Sequence, residues 1–124
     1  MPCRLDDLFG GIASFRALRE AALRAVRGKR HKPGAAAFFA NIEREVLRPE
    51  SQLNAGTWRP GAYRTFEVQD PKPRQVSAAP FRDRVVQHAL CAVIEPLFER
   101  GFIDDSFANR VGKGTHRAVA RLQQ

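Results

Sequence analysis

Apolar residues return at helical spacing between Ile12 and Val26, where Ile12, Phe15, Leu18, Leu23 and Val26 line one face. Ser14 is placed to cap this segment and Gly28 to stop it, so the pattern predicts an amphipathic helix. Gly28-Lys29-Arg30-His31-Lys32-Pro33-Gly34 follows, a basic loop able to lie on a phosphate backbone and bounded by residues that do not continue a helix. A second helix is expected from Ala35 to Leu47, with Phe38, Phe39, Ile42 and Val46 on its apolar face and Pro49 ending or kinking it. Gly56, Pro60 and Gly61 then punctuate a turn-rich stretch around Trp58, for which a core or lid position is favoured over a base-stacking one.

At Tyr63 the period changes to two. Phe66 and Val68 share one face, with Arg64 expected off it, and a second short run covers Gln75 to Ala78. Asp70-Pro71-Lys72-Pro73 between them is turn chemistry, predicting an antiparallel hairpin with Lys72 at its tip and Arg74 beside it. A further helix is expected from Phe81 to Ile94, burying Phe81, Val85, Ala89, Ala92 and Val93 and turning Arg84, Gln87, His88 and Cys91 outward. Phe102 to Asn109 reads as extended and Arg110 to Gly114 as a loop, with Thr115 capping a last helix. The fold class is therefore α+β, helices flanking a small antiparallel β-hairpin. It divides into a helical region with a basic loop over 1–62 and the hairpin with its following helices over 63–124.

The 124 residues suffice for one small domain. Their net charge of +8, carried by Arg far more than Lys, suits a polyanionic partner, although an ordinary basic surface accounts equally for the charge alone. Cys3 and Cys91 form no ligand cluster and read as free thiols of a reducing, cytoplasmic setting. Asp6 and Asp7 stand where a basic leader would be, and no apolar run reaches membrane-spanning length, so no membrane role is expected.

Two motifs invite specific chemistry. Val111-Gly112-Lys113-Gly114-Thr115 resembles a phosphate loop, but Phe107 stands where its first Gly is needed and Gly114 where Ser or Thr must follow Lys. A backbone–phosphate contact and a plain basic loop both stay open there. Phe102-Ile103-Asp104-Asp105 imitates a polymerase metal-binding pair, yet Glu99, Arg100 and Gly101 precede it in place of apolar strand residues, so a solvated turn or cap is expected. His31, His88 and His116 sit in unrelated contexts and lack a nucleophile partner.

Taken in order, Pro71-Lys72-Pro73-Arg74-Gln75-Val76, Pro80 through Leu90, Ile94-Glu95-Pro96-Leu97-Phe98-Glu99, and Phe102 through Ala118 resemble consecutive blocks of bacterial reverse transcriptases of the group II intron, retron and diversity-generating retroelement types. The resemblance covers Tyr63 to the end. It implies incomplete reverse-transcriptase fingers and the start of the palm, with Lys72 and Arg74 gripping the triphosphate of an incoming deoxynucleotide. Arg110, Lys113 and Arg117 would then face the RNA template and DNA primer. Here one residue, Pro73, separates Lys72 from Arg74, where many relatives have a longer loop, and Val111-Gly112-Lys113 replaces a Pro-Gly-Arg of intron relatives.

In the family the Mg2+-binding carboxylates come later than the blocks present here. The resemblance therefore implies that this chain has no catalytic or metal-binding residue, binds no cofactor and does not polymerise alone, with the palm and thumb as a separate partner chain. The alternative is a stand-alone basic RNA-binding or regulatory module.

Overall fold

The computed structural model describes residues 5–124; Cys3 lies outside them. Among the described residues the helices are α1 (Phe15–Ala25), α2 (Pro33–Ala40), α3 (Ile42–Ala55), α4 (Phe81–Gly101) and α5 (Thr115–Leu122), and the strands are β1 (Arg64–Gln69) and β2 (Pro73–Ala78). The α+β class is as expected. The chain forms two compact units, 1–93 and 94–124.

In the first unit the Ser14 hydroxyl accepts from the Ala17 N–H at 3.2 Å, capping α1, and Gly28 adopts a left-handed φ of 69° after the helix ends. Leu18, Ala21 and Ala22 of α1 meet Phe38, Val46, Val85, Val86 and Ala89 in one core, with Trp58 and Phe15 partly buried against it. Phe38 packs edge-on against Phe81 with ring centroids 5.1 Å apart, joining α2 to α4.

The single helix expected over 35–47 is two helices. Asn41 leaves helical geometry at φ −134° and ψ 47°, and α3 starts anew with Glu43 and Glu45 in its first turn, where acids favour the positive end of the helix dipole. Pro49 lies inside α3, buried, and Pro96 lies inside α4, which runs to Gly101 beyond the expected end at Ile94. Each proline removes one N–H, a loss that the flanking turns and, for Pro49, burial of the ring offset. Of the inward set expected for α4, Val85 and Ala89 are buried, Phe81 and Val93 partly so, and Ala92 is exposed.

The hairpin pairs Arg64 with Ala78, Phe66 with Val76, Val68 with Arg74 and Gln69 with Pro73, leaving Asp70, Pro71 and Lys72 as its tip. Pro73 opens β2, a strand position where a missing N–H is tolerated. Alternation along β1 puts Arg64 on the face of Phe66 and Val68, not off it, and its guanidinium lies 5.3 Å from the Phe66 ring centroid. One face thus carries Arg64, Phe66, Val68, Arg74, Val76 and Ala78. The other carries Thr65, Glu67, Gln69, Pro73, Gln75 and Ser77.

Every strand residue but Ala78 is exposed, so the hairpin is positioned through its ends. At the entry, Asp83 of α4, 2% exposed, accepts the Gly61 N–H on Oδ2 at 2.7 Å, while its Oδ1 has no partner among the described residues. Gly61 comes close enough that an added Cβ would lie 3.1 Å from Pro80 Cγ, tighter than ordinary packing. Asp83→Ala should cost about 1–3 kcal/mol by stranding that N–H. Urea denaturation measures the loss, and an Asp83→Ala protein as stable as its parent would show that the bond does not anchor the hairpin.

Candidate nucleic-acid interface

The expected site residues fall into two groups with different surroundings. Lys72 sits in the three-residue tip between Pro71 and Pro73, whose rings fix φ and limit the tip's freedom. Arg74 stands one residue into β2 from Pro73, on the apolar hairpin face. Both are exposed, and neither side chain has a hydrogen bond or ion pair among the described residues. The tip therefore presents two unneutralised cations on a short ladder, an arrangement able to bind phosphate oxygens.

In the second unit the basic residues are tied to the chain itself. Arg110, whose side chain is 11% exposed, donates from Nε to Glu99 Oε1 at 2.7 Å and from Nη1 to the carbonyls of Ile103 at 2.9 Å and Ser106 at 3.1 Å. Its guanidinium also lies 5.5 Å from the Phe102 ring centroid. Lys113 donates to the Asp104 carbonyl at 2.6 Å and its Nζ lies 4.9 Å from the Phe107 ring centroid. Arg117 is exposed, beside Lys113 and Arg121 on a concavity that also holds Asp104 and Asp105.

The expected extended run 102–109 is a set of turns: the Ser106 N–H donates to the Ile103 carbonyl and Asn109 has a left-handed φ of 57°. Arg110 bonds to carbonyls that a strand would direct to a neighbour, so one side chain takes the place of a ladder. The Lys113 N–H donates to the Arg110 carbonyl and the Gly114 N–H to that of Phe107, so these two donors of the glycine loop are used internally. Thr115 is the first residue of α5 and does not cap it. The cap position is Gly114, at φ 109°.

Asp105 pairs with Arg121 at 2.9 Å, and that hydrogen bond first, then the charge, holds the Arg121 guanidinium above its ordinary pKa. The Asp105 carboxylate thus has a cation partner within its own unit. No group of three or more His, Cys, Asp or Glu suited to a metal occurs among the described residues. Among them, too, no helix is long and apolar enough to cross a membrane. Cys91 is a free, partly exposed thiol.

Arg64 and Arg84, absent from the expected site, come together with Lys29 and Lys32 around a separate cleft of the first unit. Arg84 sits three residues past Phe81, on a turn of α4 facing the hairpin base rather than on a wholly solvated stripe. The basic run 29–32 was the available sequence signal; only the fold joins it to the two arginines.

No protein-family model matches the chain. A stretch of 45 residues, 36% of the chain, is 46% identical to nuclear intron maturase 2, mitochondrial, of Arabidopsis thaliana. The chain spans 6% of that protein's length. In part of its length it is thus similar to an intron maturase, and that relative is a plant protein rather than a bacterial one.

Arg110→Ala should loosen the 103–114 loop, costing about 2 kcal/mol locally for its charge-assisted bonds. Hydrogen exchange is expected to quicken at the Ser106, Lys113 and Gly114 amides, and unchanged rates there would mean that the loop holds without Arg110.

Proposed function

We propose that the chain is a reverse-transcriptase-type fingers module that binds template–primer nucleic acid and holds the triphosphate of an incoming deoxynucleotide on Lys72 and Arg74. The observation that carries this reading is the hairpin tip itself, two unpaired cations separated by one proline at the end of a register-fixed ladder. The identity shared with an intron maturase supports the same class. Arg74 supplies a planar fork for two phosphate oxygens and Lys72 a mobile point charge. Of Arg110, Lys113 and Arg117, it is Arg117 that is left for the nucleic acid, since Arg110 and Lys113 already serve carbonyls of their own loop.

The role assigned to this chain is binding and orientation. Competition of labelled dTTP by unlabelled nucleotide measures the grip. Arg74→Ala should weaken triphosphate binding about tenfold or more, and Arg74→Lys should recover only part of it, because the charge returns without the fork. A triphosphate affinity indifferent to both substitutions would overturn the reading.

A further inference from the structure

The first unit holds a second concentration of unneutralised charge, away from the hairpin tip. Lys29 and Lys32 of the 28–32 loop, Arg64 at the start of β1 and Arg84 of α4 surround a cleft of about 640 Å3. Its remaining walls are Pro, Gly and Ala with the edge of Phe81, and no acidic residue lines it. The Arg84 Nε donates to the Ala79 carbonyl at 3.1 Å, which fixes the guanidinium while its two terminal nitrogens have no partner among the described residues. Arg64 is oriented by the Phe66 ring rather than by an acid. Lys29 and Lys32 are exposed, and their side chains have no ion pair among the described residues.

Four like charges in one concavity repel one another, and no acidic residue among those lining it offsets them, so the cleft is matched to a polyanion. The neighbouring surface decides which kind. Phe66 is 39% exposed, directly beneath the Arg64 guanidinium and on the hairpin face that continues to Val76 and Arg74. A basic concavity with a part-exposed aromatic ring next to one of its cations combines the two elements that hold an unpaired nucleic-acid strand: cations for the backbone and a ring on which a base stacks.

We infer that Lys29, Lys32, Arg64 and Arg84 bind the sugar–phosphate backbone of a single nucleic-acid strand, with a base of that strand against Phe66. This rests on the nucleic-acid reading above and adds a site at the base of the hairpin, separate from the tip. The strand's phosphates replace the missing acids, and its ligand class is a polynucleotide rather than a mononucleotide.

The test uses the full chain and a fluorescein-labelled single-stranded RNA of about twelve nucleotides, within the usual span of such sites. The double variant K29A/K32A, altered only in an exposed loop, should bind this RNA about tenfold more weakly at moderate salt. Its slope of log affinity against log salt should fall by about 1.4, two phosphate contacts at roughly 0.7 each. Phe66→Leu should lower affinity several-fold with the slope unchanged. Binding of dTTP should be unaffected by K29A/K32A and weakened by Arg74→Ala.

An unchanged RNA affinity and salt slope in K29A/K32A would overturn the inference while leaving the hairpin-tip reading untouched. A K29A/K32A variant that loses inorganic triphosphate binding as steeply as RNA binding would also overturn it, by showing a small-anion site. The tip reading fails on different grounds, through indifference of dTTP to Arg74→Ala.

Discussion

A single hydrogen bond, from the Gly61 N–H to the buried Asp83 carboxylate, fixes where the hairpin leaves the helical core. Two strands with exposed side chains bury too little to hold themselves in place, and an isolated two-stranded ribbon is marginal in water. Anchorage must come from the ends. At one end Asp83 holds the incoming chain; at the other Ala78, Ala79 and Pro80, all partly buried, lead directly into α4. The carboxylate belongs to the first turn of that same helix, so entry and exit are referred to one rigid element. The aromatic contact between Phe38 and Phe81 in turn holds the start of α4 against α2. Placement of Arg64 and Arg74 follows from these contacts together with the ladder register.

The same chemistry has a different meaning in the two units. Three cations of the second unit are spent on local order: Arg110 closes turns with few apolar contacts, Lys113 holds the Asp104 carbonyl, and Arg121 pairs with Asp105. In the first unit the core of Leu18, Val46, Val85 and Phe38 supplies the order instead. Burying each such side chain contributes about 1.5–3 kcal/mol, which leaves the surrounding cations without a structural duty. Lys29, Lys32, Arg64, Lys72 and Arg74 stand without acidic partners among the described residues, so the first unit offers most of its positive charge to a ligand without drawing on its own stability.

Local chemistry was the legible part of the fold. Ser14 and Gly28 bound α1 because each acts within a few residues of itself, and Asp70-Pro71-Lys72-Pro73 makes a turn for the same reason. Pro49, expected to end or kink a helix, lies inside α3 with its ring buried, so packing offsets the one helical bond it removes. The extended reading of 102–109 failed because a side chain, Arg110, satisfies carbonyls that pattern reasoning assigns to a partner strand. Asp83 carried only the weak signal of an acid in a first helical turn; its burial and its bond across 22 residues are tertiary. The hairpin tip was legible as a local motif, whereas the cleft that gathers Lys29, Lys32, Arg64 and Arg84 joins residues too distant for spacing to connect.

Resemblance transfers residues by position, but binding requires donors that are unoccupied. Lys72 and Arg110 hold equally recognisable places in the reverse-transcriptase-like blocks, yet one is free at a tip and the other, 11% exposed, already meets three acceptors of its own chain. To turn toward a phosphate, Arg110 would have to release Glu99 and the two carbonyls, of which only the Ser106 bond is partly buried. A ligand must offset that cost before it gains anything. Arg74 and Arg64 face no such competition: one has no internal acceptor and the other leans on a ring that leaves its N–H groups open. The two arginines share one hairpin face with Phe66 and Val76 between them, so an anionic strand held at the base of the ribbon would run toward the cations at its tip without crossing an acidic residue on that face.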